Sequence, residues 1–189
     1  MAVQKKTDTW RLKKWYSVYA PKQFGDTVIG EMPANDEKAA MGRKIEVGLE
    51  VLTRNPSHAY TNVTLKVINV EGAAAHTSLV GIRQLYSYVR SLVRKYRSIS
   101  TAVVPVSSKD GTSMVLKMLV ITRQRSTHSR IRGIRKEMRE LIKAYAGENA
   151  AQDVVGAIVE GRFQADLAAK LKHIAPISKV EVRALEVGR

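Results

Sequence analysis

The chain has 189 residues, with 32 Lys and Arg against 17 Asp and Glu, and no cysteine. The lack of cysteine excludes a disulfide framework, a thiol nucleophile and cysteine-ligated zinc or iron–sulfur centres. A net charge of +15 and a pI near 10.2 indicate a polyanionic partner, with nucleic acid favoured over an anionic membrane.

The N-terminal part of the chain predicts an arm followed by a strand and a loop. Residues 1–14 are polar and basic, and we expect a flexible arm that a partner orders. The aromatic run 15–20 predicts a short strand that ends at Pro21, and the glycines and proline of 25–42 predict mostly loop. No apolar run is long enough for a secretory signal or a membrane span, so we expect a soluble cytoplasmic protein.

The next part of the chain changes from a strand period to a helix period. Apolar residues alternate over 44–52 and 60–70, which predicts half-buried strands, and a further strand is expected over 73–79. Between Ile82 and Tyr96 the apolar residues recur every three or four positions, which predicts a helix.

A hairpin and a long helix follow. The β-branched runs 99–106 and 112–122 are joined through Asp110 and Gly111, a pair typical of tight reversals. Pro105 lacks an amide donor and places its strand at an edge or a bulge. Residues 127–146 predict the longest helix, with Gly147 as the residue just past its end.

That helix carries two stripes of side chains. The apolar stripe, predicted to be buried, consists of Ile131, Ile134, Met138, Leu141 (or Ile142) and Tyr145. The basic stripe beside it consists of Arg132, Arg135 (or Lys136), Arg139 and Lys143. Two shorter helices over 151–160 and 163–173 and a last strand over 180–185 complete the chain.

The elements predict an α+β protein with a mainly antiparallel sheet, and leave open whether the sheet closes into a barrel. No repeat or shift in composition marks a second domain. We therefore expect a flexible basic arm at 1–14 and a single α+β RNA-binding domain at 15–189.

The positive charge is concentrated in residues 1–22, 83–97 and 123–143, with net charges of +5, +5 and +6. One basic segment is often only a solvated surface, but three that hold the whole surplus favour a polyanion that offsets their repulsion. Arginine outnumbers lysine six to two in 123–143, and its planar guanidinium suits an RNA backbone. The candidate RNA-binding residues are Lys5, Lys6, Arg11, Lys13, Lys14, Lys22, Arg90, Arg94, Lys95, Arg97, Arg123, Arg125, His128, Arg130, Arg132, Arg135, Lys136, Arg139 and Lys143.

Aromatic residues lie among the bases of the first segment. They are Trp10, Trp15, Tyr16, Tyr19 and Phe24. Such rings can stack on unpaired bases, but we favour a core position for Trp15, Tyr19 and Phe24 and an exposed one for Trp10.

Residues for catalysis or metal binding do not converge in the sequence. His58, His76, His128 and His173 have no ligand-type spacing, and the chain has no phosphate-loop, zinc-protease, dinucleotide or nucleophile-elbow motif. Glu137 and Glu140 are three residues apart on the long helix, where ion pairing with nearby bases is a simpler role than acid–base chemistry. The sequence predicts no catalytic residue, metal or cofactor.

Four segments in chain order resemble one protein family. They are WYSVYAPKQF at 15–24, GRKIEVGLEVL at 42–52, IRGIRKEM at 131–138, and IAPI at 174–177 with VEVR at 180–183. They are similar to the W-Y-x-V-x-A-P-x-x-F, G-R-x-x-E-V-x-L-x-x-L, V-R-x-I-R-K-x-M and closing segments of the archaeal and eukaryotic small-subunit ribosomal protein S-three-A-e family.

The resemblance implies a structural, non-enzymatic protein that packs on small-subunit ribosomal RNA. It implies a place on the platform near the exit of messenger RNA, beside other ribosomal proteins, with messenger RNA as a further candidate partner. The resemblance is to the shorter archaeal form, so we expect none of the roles tied to the long extensions of eukaryotic members. Arg132, Arg135 and Lys136 are where the family pattern and the charge argument coincide. The alternatives are a free RNA-binding assembly or regulatory factor, and an RNA-processing enzyme.

Overall fold

The chain folds as a mixture of helices and strands. A computed structural model describes Trp10 and residues 13–188, with 36% helix and 40% strand. This confirms the predicted α+β class. The sheet is mainly antiparallel and is not closed into a barrel.

Eight strands and six helices lie within the described residues. The strands are β1 Lys14–Tyr19, β2 Val28–Ala34, β3 Lys44–Gly48, β4 Thr61–Glu71, β5 Ala74–Gln84, β6 Ile99–Ser107, β7 Ser113–Thr122 and β8 Ile177–Val187. The helices are α1 Glu37–Ala40, α2 Leu49–Thr53, α3 Tyr86–Leu92, α4 His128–Glu148, α5 Ala151–Glu160 and α6 Arg162–Leu171.

The described residues form two compact units. The first contains the chain up to Ala59 together with Thr64–Leu79, and the second contains Tyr60–Val63 and the chain from Val80 onward. Strands β4 and β5 therefore each contribute residues to both units.

The first unit is built around β1. This strand pairs antiparallel with β2 and parallel with β5, where Ser17 lies opposite Ala74. Strand β4 pairs with β3 and β5. The prediction of a loop over 25–42 is wrong, because this stretch contains β2. Among the described residues β2 pairs only with β1, and an edge strand tolerates the missing amide of Pro33.

The core of the first unit contains Tyr16, Val18, Met32 and Val67. The core prediction for Trp15 is wrong, since its side chain is 58% exposed, while Tyr19 and Phe24 are half-buried. Side chains of a strand alternate between its faces, so the burial of Tyr16 turns Trp15 outward.

Two predicted strands in this unit have different ends in the structure. The strand predicted over 44–52 stops at Gly48 and continues as α2, which buries Leu49 and Leu52. The strand predicted over 60–70 matches β4, and its apolar face is buried as expected.

In the second unit the end of β5 pairs with β8, β8 with β7, and β7 with β6, all antiparallel. The predicted hairpin is confirmed as β6 and β7. Among the described residues β6 pairs only with β7, so Pro105 lies in an edge strand, as predicted. Helix α4 packs against β6.

The helix predicted over 82–96 is wrong at both ends. Residues 82–84 belong to β5, and the helix is the seven-residue α3. Leu85, Tyr86 and Val93 are exposed, so the apolar residues at helical spacing form no buried stripe. Tyr96, expected in that stripe, has a backbone φ of +64° outside the helix.

The three C-terminal helices agree closely with the predictions. Helix α4 buries Ile134, Met138 and Ile142 and continues through Gly147 to Glu148, so the predicted end is wrong by two residues. Helix α5 has the predicted bounds, and α6 buries Phe163 and Leu167. No helix in the described part of the chain is long and apolar enough to cross a membrane.

Candidate nucleic-acid interface

Of the first basic segment, residues 1–22, the structure describes Trp10 and residues 13–22. Lys5, Lys6 and Arg11 lie outside the described residues, as does most of the predicted arm. Lys14 and Lys22 are exposed, and Lys13 is half-buried with its Nζ 4.0 Å from the ring centre of Trp10. The tryptophan ring is itself 59% exposed, as predicted for this residue.

The second basic segment places its cations on α3 and on the chain that follows it. Arg90, Arg94, Lys95 and Arg97 are all exposed. The Arg90 guanidinium lies 5.6 Å from the ring centre of Tyr86, and the Lys95 Nζ lies 5.1 Å from that of Tyr96. Residues 83–97 contain no acid. The segment therefore presents cations and aromatic rings together.

Helix α3 is held by polar and aromatic contacts instead of burial. None of its seven described residues is buried. The amide of Leu85 donates to the carbonyl of Tyr60 at 2.8 Å, and the rings of Tyr60 and Tyr88 stack with centres 4.8 Å apart. The Tyr88 hydroxyl donates to Glu181 at 3.1 Å. These contacts fix the helix although it is too short to be stable alone.

The third segment forms a basic stripe along α4. Arg132, Lys136, Arg139 and Lys143 are exposed and follow each other at steps of four, three and four residues, which places them on one helix face. Arg135 is half-buried and its Nε has no hydrogen-bond partner among the described residues. The stripe therefore contains Lys136, one of the two alternatives left open by the sequence.

The start of α4 is also basic. His128 and Arg130 lie in its first turn and are exposed, and Arg123 and Arg125 precede the helix on the surface. Described residues of the first turn include no acid, and those of the last turn include no base. This is the reverse of what the helix dipole favours, so an anion near the start of α4 would be stabilised.

The second and third segments meet where β6 begins and β7 ends. The amide of Ser98 donates to Thr122 Oγ1 at 3.0 Å, and the amide of Thr122 donates to the carbonyl of Ser98 at 3.0 Å. The amide of Ser126 donates to Ser98 Oγ at 2.9 Å. We call this set of contacts between Ser98, Thr122 and Ser126 the Ser98 junction.

Arginines flank the Ser98 junction on both sides. Arg97 precedes Ser98 and reaches Ser178 Oγ at 3.5 Å. Arg123 follows Thr122, and its amide donates to the carbonyl of Pro176 at 2.8 Å. The end of the second basic segment and the start of the third, which are separate in the sequence, therefore lie on either side of the Ser98 junction in the second unit, with Arg97 and Arg123 both exposed.

The glutamates of α4 form no catalytic arrangement. Glu137 lies 3.3 Å from the Nε2 of His173, and Glu140 is exposed. Within the described part of the chain, no three His, Asp or Glu side chains are grouped closely enough to hold a metal ion.

Two features of this surface were missed in the sequence. Lys179 contacts Glu181 two residues along β8 and also Tyr88 of α3, and no local pattern indicates the contact with the distant Tyr88. Tyr86 and Tyr96 were assigned to a helix, although their position among bases with no acid nearby was a usable signal.

The fold and this surface define an α+β protein with a face complementary to a polyanion. The model of the Ribosomal S3Ae family matches residues 1–189. The chain therefore belongs to that family, which is one of ribosomal proteins and not of enzymes. This confirms the resemblance found in the sequence and the expectation of a non-enzymatic protein.

Relatives from archaea match nearly the whole chain. Proteins named "Small ribosomal subunit protein eS1" from Pyrobaculum aerophilum and Methanococcus vannielii are 38% and 37% identical over 96% and 95% of this chain and 82% of each relative. The protein of the same name from Sulfurisphaera tokodaii is 38% identical over 93% of this chain and 91% of the relative.

Proposed function

We propose that the chain is a structural constituent of the small ribosomal subunit and binds small-subunit ribosomal RNA in the cytoplasmic ribosome. The observation that carries the proposal is the set of exposed bases in the second unit, namely the basic stripe of α4 and the arginines that flank the Ser98 junction. Family membership supports the ribosomal role. The family resemblance alone supports a finer position on the platform near the messenger RNA exit, beside other ribosomal proteins.

The mechanism is neutralisation of phosphates together with fit to the RNA shape. The basic stripe extends from Arg132 to Lys143, roughly 16 Å along the helix axis at the usual rise per residue. Cations in a row along a rigid helix suit a backbone of regularly spaced phosphates. RNA duplexes are recognised mainly through shape and backbone contacts, so we expect little sequence readout from this helix.

All three basic segments are proposed to bind RNA, the first from the first unit and the other two from the second unit. Those of its candidate residues that are described and exposed are Lys14, Lys22, Arg90, Arg94, Lys95, Arg97, Arg123, Arg125, His128, Arg130, Arg132, Lys136, Arg139 and Lys143. Lys13 and Arg135 are half-buried and offer only part of their side chains. Lys5, Lys6 and Arg11 of the N-terminal arm are included in the proposal because of their positive charge in the sequence.

Incorporation of variants into subunits tests the proposal. A tagged chain with Arg132→Glu and Lys136→Glu is expected to be lost from the small-subunit fractions of a sucrose gradient. Both side chains are exposed, so its free energy of unfolding should stay within about 0.5 kcal/mol of the original.

The matched control carries Lys170→Glu and Lys172→Glu, which make the same change in charge at exposed positions that belong to none of the three basic segments. The control should co-sediment with small subunits. Normal incorporation of the α4 variant would show that the basic stripe is not a contact surface. A chain that stays mainly free of ribosomes would instead favour an assembly or regulatory factor.

Binding to isolated RNA gives a second test. Phosphate neutralisation releases counterions, so affinity should fall linearly with the logarithm of salt concentration. Each phosphate contact removed from the basic stripe should lower that slope by about one. A flat response to salt would contradict the mechanism.

A further inference from the structure

Two tyrosines of the second unit expose most of their rings. Tyr86 is 69% exposed and Tyr96 is 71% exposed. They lie within a segment, 83–97, that has five bases and no acid. Tyrosine and tryptophan usually bury their large apolar rings and are enriched where a partner covers them, so these positions indicate a binding surface.

A cation lies near the face of each ring. Arg90 is one helical turn after Tyr86, with its guanidinium 5.6 Å from the ring centre. Lys95 precedes Tyr96, with its Nζ 5.1 Å from the ring centre. Proteins that bind single-stranded nucleic acid combine stacking rings with cations in this way, and the cation adds to the attraction for the ring.

The backbone at Tyr96 is strained. Its φ of +64° lies in the left-handed region, which bulky residues rarely occupy and glycine occupies freely. Strain of this kind persists where the surrounding structure and the function require it. Here a glycine would form the turn more easily, but it would remove the exposed ring.

The support beneath the rings is specific. Helix α3 is held by the Leu85–Tyr60 hydrogen bond, the Tyr60–Tyr88 stack and the Tyr88–Glu181 hydrogen bond. None of the described residues of α3 itself is buried. Tyr88, Val89 and Leu92 are half-buried, and the other four side chains of the helix, Tyr86 and Arg90 among them, are exposed.

We propose that Tyr86 and Tyr96 are stacking positions for unpaired bases of a single-stranded stretch of RNA, with Arg90, Lys95 and Arg97 binding its phosphates. This inference rests on the proposed RNA-binding function and adds a class of RNA, because the basic stripe needs only a phosphate backbone. The excess of positive charge favours RNA over a protein partner. Arg97 leads into the Ser98 junction, so the strand would continue onto the arginines there.

The test compares two RNAs with the full chain. Affinity for an unstructured single-stranded oligonucleotide and for a hairpin duplex is measured by fluorescence anisotropy. The variant with Tyr86→Ala and Tyr96→Gly removes two stacking rings and should bind the single strand at least about 30-fold more weakly and the duplex as before. The variant with Tyr86→Phe and Tyr96→Phe keeps both rings and should bind the single strand nearly as well as the original chain.

Stability and the basic stripe provide the controls. Tyr96→Gly relieves backbone strain, so thermal unfolding of that variant should occur at the same or a higher temperature. The Arg132→Glu, Lys136→Glu variant should lose affinity for the duplex, where the tyrosine variant does not.

Three outcomes would overturn the inference. Equal losses on both RNAs would mean that the tyrosines act through general structure. Unchanged single-strand binding, with or without loss of subunit incorporation, would assign the rings to another role such as contact with a protein, and would leave the proposed function intact. If the original chain bound neither RNA, the proposed function would fail as well.

Discussion

Among the glycines of the described residues, Gly81 leaves the least room for a side chain. It lies opposite Glu186 in the pairing of β5 with β8, and a Cβ added there would be 2.6 Å from the carbonyl oxygen of Leu185. That neighbour is backbone and has little freedom to move. We expect Gly81→Ala to lower the free energy of unfolding by about 1–3 kcal/mol, measured by urea denaturation.

The same substitution at Gly156 is the control. Gly156 lies inside α5, and a Cβ there would meet nothing within 4 Å. Alanine is the better helix former, so Gly156→Ala should raise the free energy of unfolding by about 0.5–1 kcal/mol. Equal effects of the two substitutions would contradict the role assigned to Gly81.

Lys179 should titrate above the ordinary lysine pKa. Burial lowers its pKa, but hydrogen bonds to Glu181 and Tyr88 outweigh this effect and the net pKa is raised. The charged form is thus favoured by folding, so its contribution to stability is complete below the ordinary pKa. That contribution is lost as the pH rises through the raised value.

An NMR titration of the lysine side chains measures this. Glu181→Gln should lower the midpoint of Lys179 toward the ordinary value. Glu186→Gln, on the same strand but paired with Lys117, should leave it unchanged. Identical midpoints for Lys179 in the original chain and the Glu181→Gln variant would contradict the assignment.

The burial of single residues was predictable where apolar residues recur at a clear helical spacing. The buried side chains of α4 and α6 follow from their spacing. Trp15 shows the limit, because adjacent aromatics in a strand point to opposite faces and the sequence does not say which face is buried. Packing of Tyr16 with Val18, Met32 and Val67 in the core of the first unit decides in favour of Tyr16.

At the scale of elements, the first turn of α4 predicts a conflict between stability and binding. Thr127 precedes the helix without a side-chain capping bond, and Arg130 occupies the position that a glutamate would take in a capping box. Arg130→Glu should raise the free energy of unfolding by about 0.3–1 kcal/mol and weaken RNA binding.

The matched control for that experiment is Lys143→Glu. It makes the same change in charge at an exposed residue of α4, but far from the start of the helix, so it should not stabilise the chain. Urea denaturation at low salt measures both variants. A gain from Lys143→Glu as large as that from Arg130→Glu would show that the helix dipole is not the cause.

Helices and strands were predictable where the apolar residues that define their spacing are also the ones that are buried. The hairpin β6–β7 and helices α4 to α6 meet that condition. The helix expected over 82–96 does not, since Ile82 is buried as part of β5 while Leu85 and Val93 are exposed, and the chain there is held by tyrosine stacking and by Glu181. Strand β2 was hidden by Gly30 and Pro33, which an edge strand accepts. The Ser98 junction joins positions distant in sequence, so no local pattern indicates it.

For the whole molecule, we expect one cooperative unfolding transition, as the single-domain prediction requires. Both β4 and β5 pass from one compact unit to the other, so melting of either unit disrupts strands of its neighbour. Trp10 and Trp15 belong to the first unit, and helices α3 to α6 belong to the second.

Two probes therefore follow the two units separately. Tryptophan fluorescence reports the first unit and helical circular dichroism reports mainly the second. Coincident transitions in urea would support a single cooperative domain. Separate midpoints would mean two domains that share strands.

The open edge of β6 has a consequence for the chain before it joins a partner. None of the residues of β6, Ile99–Ser107, is charged, and edge strands without charged side chains are prone to pair with other copies. Pro105 interrupts that edge at one place. Repulsion between chains of net charge +15 keeps free copies apart, but salt shortens the range of that repulsion. Solubility of the free protein should therefore fall as salt screens its charge.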